Sequence, residues 1–230
     1  MAKPSSLILL EKAIGIPFRN KELLSQALVH RSAVRESATH GNNERLEFLG
    51  DAVLELIATE YLYHLSPKSE GELTNWRAAL VQGEHLAQIA LDLKLGEYLY
   101  MSRGEEASEG RTKTSTLANA LEALIGAIYL DQGIEKAQEF CEKFILKNLQ
   151  QLLAEGKHRD EKSTFQEMSQ EKTGVTPHYE VLVEEGPDHD KNFTCAVFIA
   201  EEKVAEGTGN SKQRAEQAAA KEALRVKGWK

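Results

Sequence analysis

The chain has 230 residues, 41% of them hydrophobic, and a formal net charge of −8, which suits one or two packed domains and excludes a fibrous or low-complexity chain. No apolar run approaches the ~18 residues of a membrane span, and the opening MAKPSSLILLEKAIG meets Glu11 and Lys12 too early for a secretory signal. A cytoplasmic protein without membrane association is expected, and Cys141 and Cys195, far apart and without ligand spacing, read as packed free thiols rather than a disulfide or zinc site.

Lys3 to Ile14, apolar at Leu7, Leu10 and Ile14, predicts a first helix. After the turn-like Gly15-Ile16-Pro17, Asn20 can cap a second helix running through Leu23, Leu24, Ala27 and Leu28 to His30. A polar stretch then leads to Asn43–Ile57, NERLEFLGDAVLELI. At about 100° per residue, Glu44, Glu47, Asp51 and Glu55 of this third helix share one side, while Leu46, Leu49, Val53, Leu56 and Ile57 form a core stripe opposite. Two residues do not fit that division. Phe48 falls among the acids, and Gly50 costs about 1 kcal/mol in mid-helix relative to Ala. The acids suit either a solvated face or a divalent cation that relieves their mutual repulsion.

Ser66-Pro67 and Gly71-Glu72 announce one helix from about Leu73 to Leu91. Met101 to Ser115, MSRGEEASEGRTKTS, has no periodicity and reads as a mobile loop ending at Thr114 or Ser115, either of which could cap the next helix, TLANALEALIGAIYL. That helix carries the stripe Leu117, Leu121, Leu124 and Ile128, widened by Ile125, and its alanines predict packing nearly all round. Asn119 and Glu122 face away from the stripe, on the side of Gly126. An acid in so apolar a helix is costly unless it is paired or bound to metal. Glu44, Glu47 and Asp51 of one helix and Asn119 and Glu122 of another could together hold Mg²⁺, which suits an in-line phosphoryl displacement. No Ser-His-Asp or Cys-His set and no phosphate-binding glycine loop competes, and His30, His40 and His64 read as core or surface histidines rather than ligands.

Helical signals continue from Ile134 to Leu153, and Ala154 to Lys157 reads as a linker. Beyond it the pattern changes to αβββα. Ser163 to Lys172 is a helix with Phe165 and Met168 inward and Gly174 as its stop; Tyr179, Val181 and Val183 alternate, as do Phe193, Cys195, Val197 and Ile199; a short third strand spans about Lys203 to Glu206 before Gly207-Thr208-Gly209-Asn210. Ser211 caps a last helix with Ala215, Ala218, Ala219, Ala223 and Val226 along one side. In an acidic chain, residues 212–230 hold six Lys and Arg against two Glu. Lys212 and Arg214 sit in the first helical turn, where cations oppose the macrodipole but can bind phosphate.

NERLEFLGDAVL, followed about 65 residues later by LANALEALIGAIYLD, resembles the catalytic domain of bacterial ribonuclease III, as do Leu73-Thr74, Arg77-Ala78, Gly104-Glu105 and Gly110-Arg111. GPDHDKNF and GTGNSKQRAEQAAA resemble the double-stranded RNA-binding domain that follows it in that family. The resemblance implies an all-α endonuclease domain, 1–156, and a small α+β RNA-binding domain, 157–230. It implies a Mg²⁺-dependent enzyme, with Mn²⁺ as a substitute, that cuts double-stranded RNA to 5′-phosphate and 3′-hydroxyl ends and processes precursors of rRNA, mRNA and tRNA. By position it makes Asp51 and Glu122 catalytic, Glu47 and Glu122 direct metal ligands, and Glu44 an accessory acid near the RNA. Asn119 departs from the family's usual Asp, which removes one negative charge. The resemblance also puts Ser163, Gln166, Glu167 and His189 in two minor grooves, with Lys212 and Arg214 on the phosphates between them. Gln213 departs from the family's run of lysines. Because duplex strands are antiparallel, a twofold homodimer is expected, with Phe48 as an interface anchor unless it packs within its own chain. The competing reading is a non-catalytic RNA-binding dimer, against which the retained acids argue.

Overall fold

A computed structural model of the chain describes residues 4–33, 41–156, 161–187 and 191–229. The expected ligand His189, like His40, lies outside them. Two compact units are present, Met1–His158 and Arg159–Lys230.

The first unit is helical: α1 (Pro4–Ile14), α2 (Lys21–Ala27), α3 (Glu44–Leu65), α4 (Glu70–Val81), α5 (Gly83–Asp92), α6 (Arg103–Ala107), α7 (Thr114–Gln132), α8 (Ile134–Phe144) and α9 (Leu149–Ala154). Asn20 caps α2 as expected, its side chain accepting the Glu22 N–H at 2.9 Å. At the centre lies α7, whose Leu117, Leu121, Leu124, Ile125 and Ile128 are fully buried together with Ala120, Ala123 and Ala127. Alanines on its flanks let neighbouring helices come close.

Several boundaries differ from the sequence reading. The single helix expected over Leu73–Leu91 is two, broken at Gln82, whose extended backbone (ψ 135°) ends α4 and starts α5. The break lies outside the reach of periodicity, because both halves keep apolar residues at helical spacing. Ser69, rather than the Gly71-Glu72 pair, starts α4 through a capping box with Glu72. Met101–Ser115 is pinned rather than free. It carries α6, and Arg111 Nη1 donates to the carbonyls of Gly96 (2.8 Å) and Leu99 (2.7 Å) while its Nε meets Glu106 at 2.8 Å. The N-cap of α7 is Lys113, not Thr114 or Ser115, and its side chain makes no cap bond.

On α3 the buried wedge is Leu46, Gly50, Val53, Leu54, Ile57, Ala58 and Leu62. It is turned toward the acids relative to the expected stripe, so Leu56 is exposed at 59% and Phe48 at 80%. That exposure overturns the alternative in which Phe48 packs within its own chain.

The second unit is α10 (Glu161–Thr173), β1 (His178–Glu185), β2 (Asn192–Ile199), β3 (Glu202–Gly209) and α11 (Lys212–Lys227), with the antiparallel order β1-β2-β3. Phe165, Val197, Ile199, Ala219, Ala220, Ala223 and Leu224 form its main core. A register shift between Val181 and Val183 breaks the alternation expected of β1 and leaves both partly exposed. The third strand runs on through Gly207 and Gly209, past its expected end near Glu206. A Cβ at Gly207 would lie 2.1 Å from the Ala219 amide nitrogen, and one at Gly209 would lie 2.7 Å from that of Ala215. The strand packs directly on the helix backbone, and glycine is what permits it. Val226, expected on the inner side, is 54% exposed, and Leu224 takes its place.

Candidate active site

The crossing of α3 and α7 builds the site. A Cβ added to Gly50 would sit 1.8 Å from the Glu122 carbonyl oxygen, and one added to Gly126 would sit 2.3 Å from the Leu46 carbonyl oxygen. Each helix therefore offers a bare position to the other's backbone. The approach answers why a helix breaker is tolerated at position 50. It also decides which side chains meet, because Glu47 and Asp51 flank the Gly50 contact on one helix and Asn119 and Glu122 flank it on the other.

Electrostatics report the same meeting. The Glu122 carboxyl is pushed up to about 7, first by burial and then by the negative charges of Asp51 and Glu47. Glu47 is also raised, by burial and then by Glu44, while a side-chain hydrogen bond from Asn119 favours its charged form. The outermost member, Glu44, is exposed; its Oε2 accepts from the Asn42 side chain at 2.5 Å and its Oε1 lies 3.9 Å from Arg31 Nη1. All five expected residues of this half of the chain thus gather along one seam, with Glu122 the most enclosed acid and Glu44 at the rim. The fourth acid of the expected arc, Glu55, is instead paired with Arg77 at 2.9 Å.

A cleft of about 290 Å³ opens beside the seam. Glu44, Glu47 and Asn119 line it, together with His30, Arg31, Glu105 and Lys113. These last four were not found by sequence reasoning. They come from the segment after α2, from α6 and from the residue that precedes α7, where no periodicity links them. Lys113 Nζ is 2.8 Å from Glu105 Oε1.

The donor set suits a hard divalent ion. Its members are oxygen ligands, and the raised carboxyl of Glu122 records a repulsion that a cation would relieve. Among the described residues no three His, Cys, Asp or Glu side chains are grouped so as to hold an ion by themselves. Mg²⁺ usually takes only one or two carboxylates from the protein and completes its shell with water and phosphate.

In the second unit, Gln166 and Glu167 are exposed on α10, and Lys212 and Arg214 are exposed in the first turn of α11. Lys162 joins the two helices, its Nζ 2.7 Å from Glu216 and its backbone N–H donating to Gln217 Oε1 at 3.1 Å. Ser163, the next residue on α10, is half-buried. The start of α11 is not an open row of N–H groups, because Ser211 Oγ accepts the Arg214 N–H at 3.2 Å. Lys212 Nζ lies 3.9 Å from Glu184 and 5.8 Å above the Phe193 ring, and Arg214 Nη1 donates to Asn210 Oδ1 at 3.2 Å.

Comparison with known proteins gives two family matches. Residues 20–149 match the ribonuclease-III-like family and residues 161–227 match the double-stranded RNA binding motif. A protein called Ribonuclease 3 from Pelotomaculum thermopropionicum is 48% identical over 221 residues, 95% of this chain and 92% of its own length. Another Ribonuclease 3, from Dehalococcoides mccartyi, is 45% identical over 94% of this chain and 92% of its own length. Among solved structures, the nuclease domain of ribonuclease III from Campylobacter jejuni, described with flexibility in a region involved in dimer formation, superposes with a TM-score of 0.56 at 46% identity. It covers 60% of this chain and 95% of that one.

Proposed function

Since the chain belongs to the ribonuclease III family and is an endoribonuclease carrying a double-stranded RNA-binding domain, we propose that it cleaves duplex RNA at the α3–α7 seam with the help of Mg²⁺. The observation that carries this reading is the backbone contact of Gly50 with Glu122, which brings Glu47 and Asp51 beside Asn119 and Glu122 in a partly buried setting. In it, 1–156 form the nuclease domain and 157–230 the RNA-binding domain.

When bound, Mg²⁺ supplies an activated water and charge stabilisation for an in-line displacement at phosphorus, leaving 5′-phosphate and 3′-hydroxyl ends. Glu47 and Glu122 would hold the ion directly. Asp51, the more exposed acid, would orient or deprotonate the attacking water. Asn119, through its side-chain carbonyl, would hold a water or weakly ligate, and its hydrogen bond to Glu47 partly offsets the burial and the Glu44 charge that raise that carboxyl. Glu44 at the rim meets the RNA or the outer water shell. Mn²⁺ has the same preference for oxygen ligands and would substitute.

Substrate recognition falls to Ser163, Gln166, Glu167, His189, Lys212 and Arg214, which would read an A-form duplex by shape, 2′-hydroxyls and phosphates over about 16 bp. Structured precursors of rRNA, mRNA and tRNA suit such a reader, and a cytoplasmic setting follows from them.

The working unit is a homodimer. Phe48, Leu56 and Tyr63 are 80%, 59% and 74% exposed and share one face of α3. The same face borders a groove of about 740 Å³ between α3 and α4, lined by Leu62, Tyr63, Pro67 and Leu73 among others. A protruding ring and a groove on one surface are what a self-complementary twofold contact requires. Two seams related by that axis would serve the two antiparallel strands.

The test of the catalytic reading is incubation of the purified protein with end-labelled duplex RNA in Mg²⁺ and in EDTA, with the product ends mapped. Cleavage confined to Mg²⁺ and 5′-phosphate products are expected; equal cleavage in EDTA would remove the metal from the scheme.

A further inference from the structure

His30 is held by more bonds than a surface histidine needs. Its backbone N–H donates to the Tyr100 carbonyl at 2.8 Å, next to a parallel bridge between Val29 and Tyr100, and the Val29 carbonyl accepts the Asn43 N–H at the start of α3. The ring is fixed as well. Nδ1 lies 3.3 Å from the Ser32 backbone nitrogen and 2.9 Å from Ser32 Oγ. A backbone N–H can only donate, so Nδ1 must be the acceptor. Ser32 Oγ in turn accepts the Ser102 N–H at 3.0 Å, which leaves its own hydroxyl proton for the same Nδ1. Burial lowers the pKa of the ring, against the raising effect of Glu105. The neutral ring therefore carries its proton on Nε2, in a single tautomer enforced by Ser32. This ring lines the cleft that also holds Glu44, Glu47, Glu105 and Asn119, with the cations Arg31, 3.9 Å from Glu44, and Lys113, 2.8 Å from Glu105, in the same lining.

A half-buried imidazole locked to present one donor, in a cleft with two cations and at the edge of the catalytic acids, has the chemistry to hold a phosphate oxygen. We propose that His30 contacts the substrate, donating Nε2–H to a non-bridging oxygen of the RNA phosphate adjacent to the scissile one and so fixing the strand against the seam. This inference rests on the reading of the seam as the catalytic centre. His30 has no part in the metal chemistry: its work is to align the strand, and its tautomer lock spares the cost of ordering the donor when RNA arrives.

Two amide substitutions separate the two ring nitrogens. Asn at position 30 retains an acceptor near Nδ1 for Ser32 but has nothing at Nε2; Gln reaches the Nε2 position with an N–H donor but gives up the acceptor near Nδ1. Single-turnover cleavage of a labelled duplex at saturating enzyme and in Mg²⁺, with thermal melting of each variant, should find His30→Gln within a few-fold of the parent. His30→Asn should be slower by on the order of 10- to 100-fold, the range for a hydrogen bond to a charged group, with an unchanged melting temperature. A purely structural histidine gives the opposite order, since Asn preserves the Ser32 contact. His30→Asn cleaving like the parent, or both variants falling equally, would overturn the proposal. Glu122→Gln is run beside them. If it is inactive while His30→Asn is not, only the role of His30 fails; if Glu122→Gln cleaves normally, the catalytic reading fails and takes this inference with it.

Discussion

Gly50 of α3 touches the carbonyl of Glu122 on α7 so closely that a methyl group at position 50 would lie 1.8 Å from that oxygen. The carbonyl belongs to backbone inside a buried helix and cannot swing away. Gly50→Ala should therefore destabilise the nuclease unit by about 3 kcal/mol, at the upper end for overpacking, although Ala is the better helix former. It should also depress cleavage more than the remaining folded fraction explains, because the acids move apart with the helices. Urea denaturation alongside a cleavage assay measures both; a variant as stable as the parent would mean that the helices do not cross at these glycines.

The raised Glu122 carboxyl has a sign that can be tested without RNA. Its folded value is about 7 against an ordinary 4.5. Between those values the native state binds more proton than the unfolded one, so the metal-free protein loses stability as pH rises through that window. Glu122→Gln removes the loss. In EDTA its melting temperature relative to the parent should climb from pH 5 to pH 8, and added Mg²⁺ should shrink the gap by stabilising the parent. A gap that stays flat with pH would show Glu122 to be free of its acidic neighbours. The same variant should not cleave, while a gel shift finds duplex affinity within a few-fold.

Asn119→Asp should act in two directions. It removes the hydrogen bond to Glu47 and adds a like charge, which lowers metal-free stability by about 1 kcal/mol. It also adds an anionic ligand, so half-maximal cleavage should need less Mg²⁺. A Mg²⁺ titration that is unchanged or shifted upward would put residue 119 outside the ion's reach.

Phe48→Ala should weaken dimerisation by about 2 kcal/mol, the cost of an interface hot spot. The ring is 80% exposed in the single chain, so helical circular dichroism should not change. Sedimentation equilibrium over a dilution series reads the effect. Unchanged association would move the contact elsewhere.

Lys212→Ala and Arg214→Ala should each reduce the slope of log affinity against log salt by about one, with little dependence on duplex sequence. Full affinity at physiological salt in the double variant would exclude the first turn of α11 from the phosphates.

Much of the site was legible because it lies on two long periodic helices. Glu47, Asp51, Asn119 and Glu122 could be placed on faces by counting, and Gly50 stood out as a cost that helix formation alone did not explain, although the contact it makes with α7 was not foreseen. The angle of the core wedge on α3 was not legible, because it depends on how α7 docks, and so Leu56 was put inside when it is outside. His30, Arg31, Glu105 and Lys113 were missed for another reason. They converge through loop backbone bonds such as Ser102 to Ser32, contacts across 70 residues that leave no period in the sequence. The break at Gln82 and the length of β3 were hidden because a backbone turn and a glycine inside a strand look locally like their alternatives.

The alanine and glycine seam between α11 and β3 has a consequence for how duplex RNA is gripped. Ala and Gly give up no side-chain rotamers when they are buried, so the helix and sheet join without side chains that must be frozen into place. Lys212 and Arg214 lie at the start of the helix that β3 meets without intervening side chains, so their place relative to the sheet depends little on rotamer choice at that seam. If these two cations meet phosphates as proposed, the recognition they give depends on backbone spacing and not on base identity.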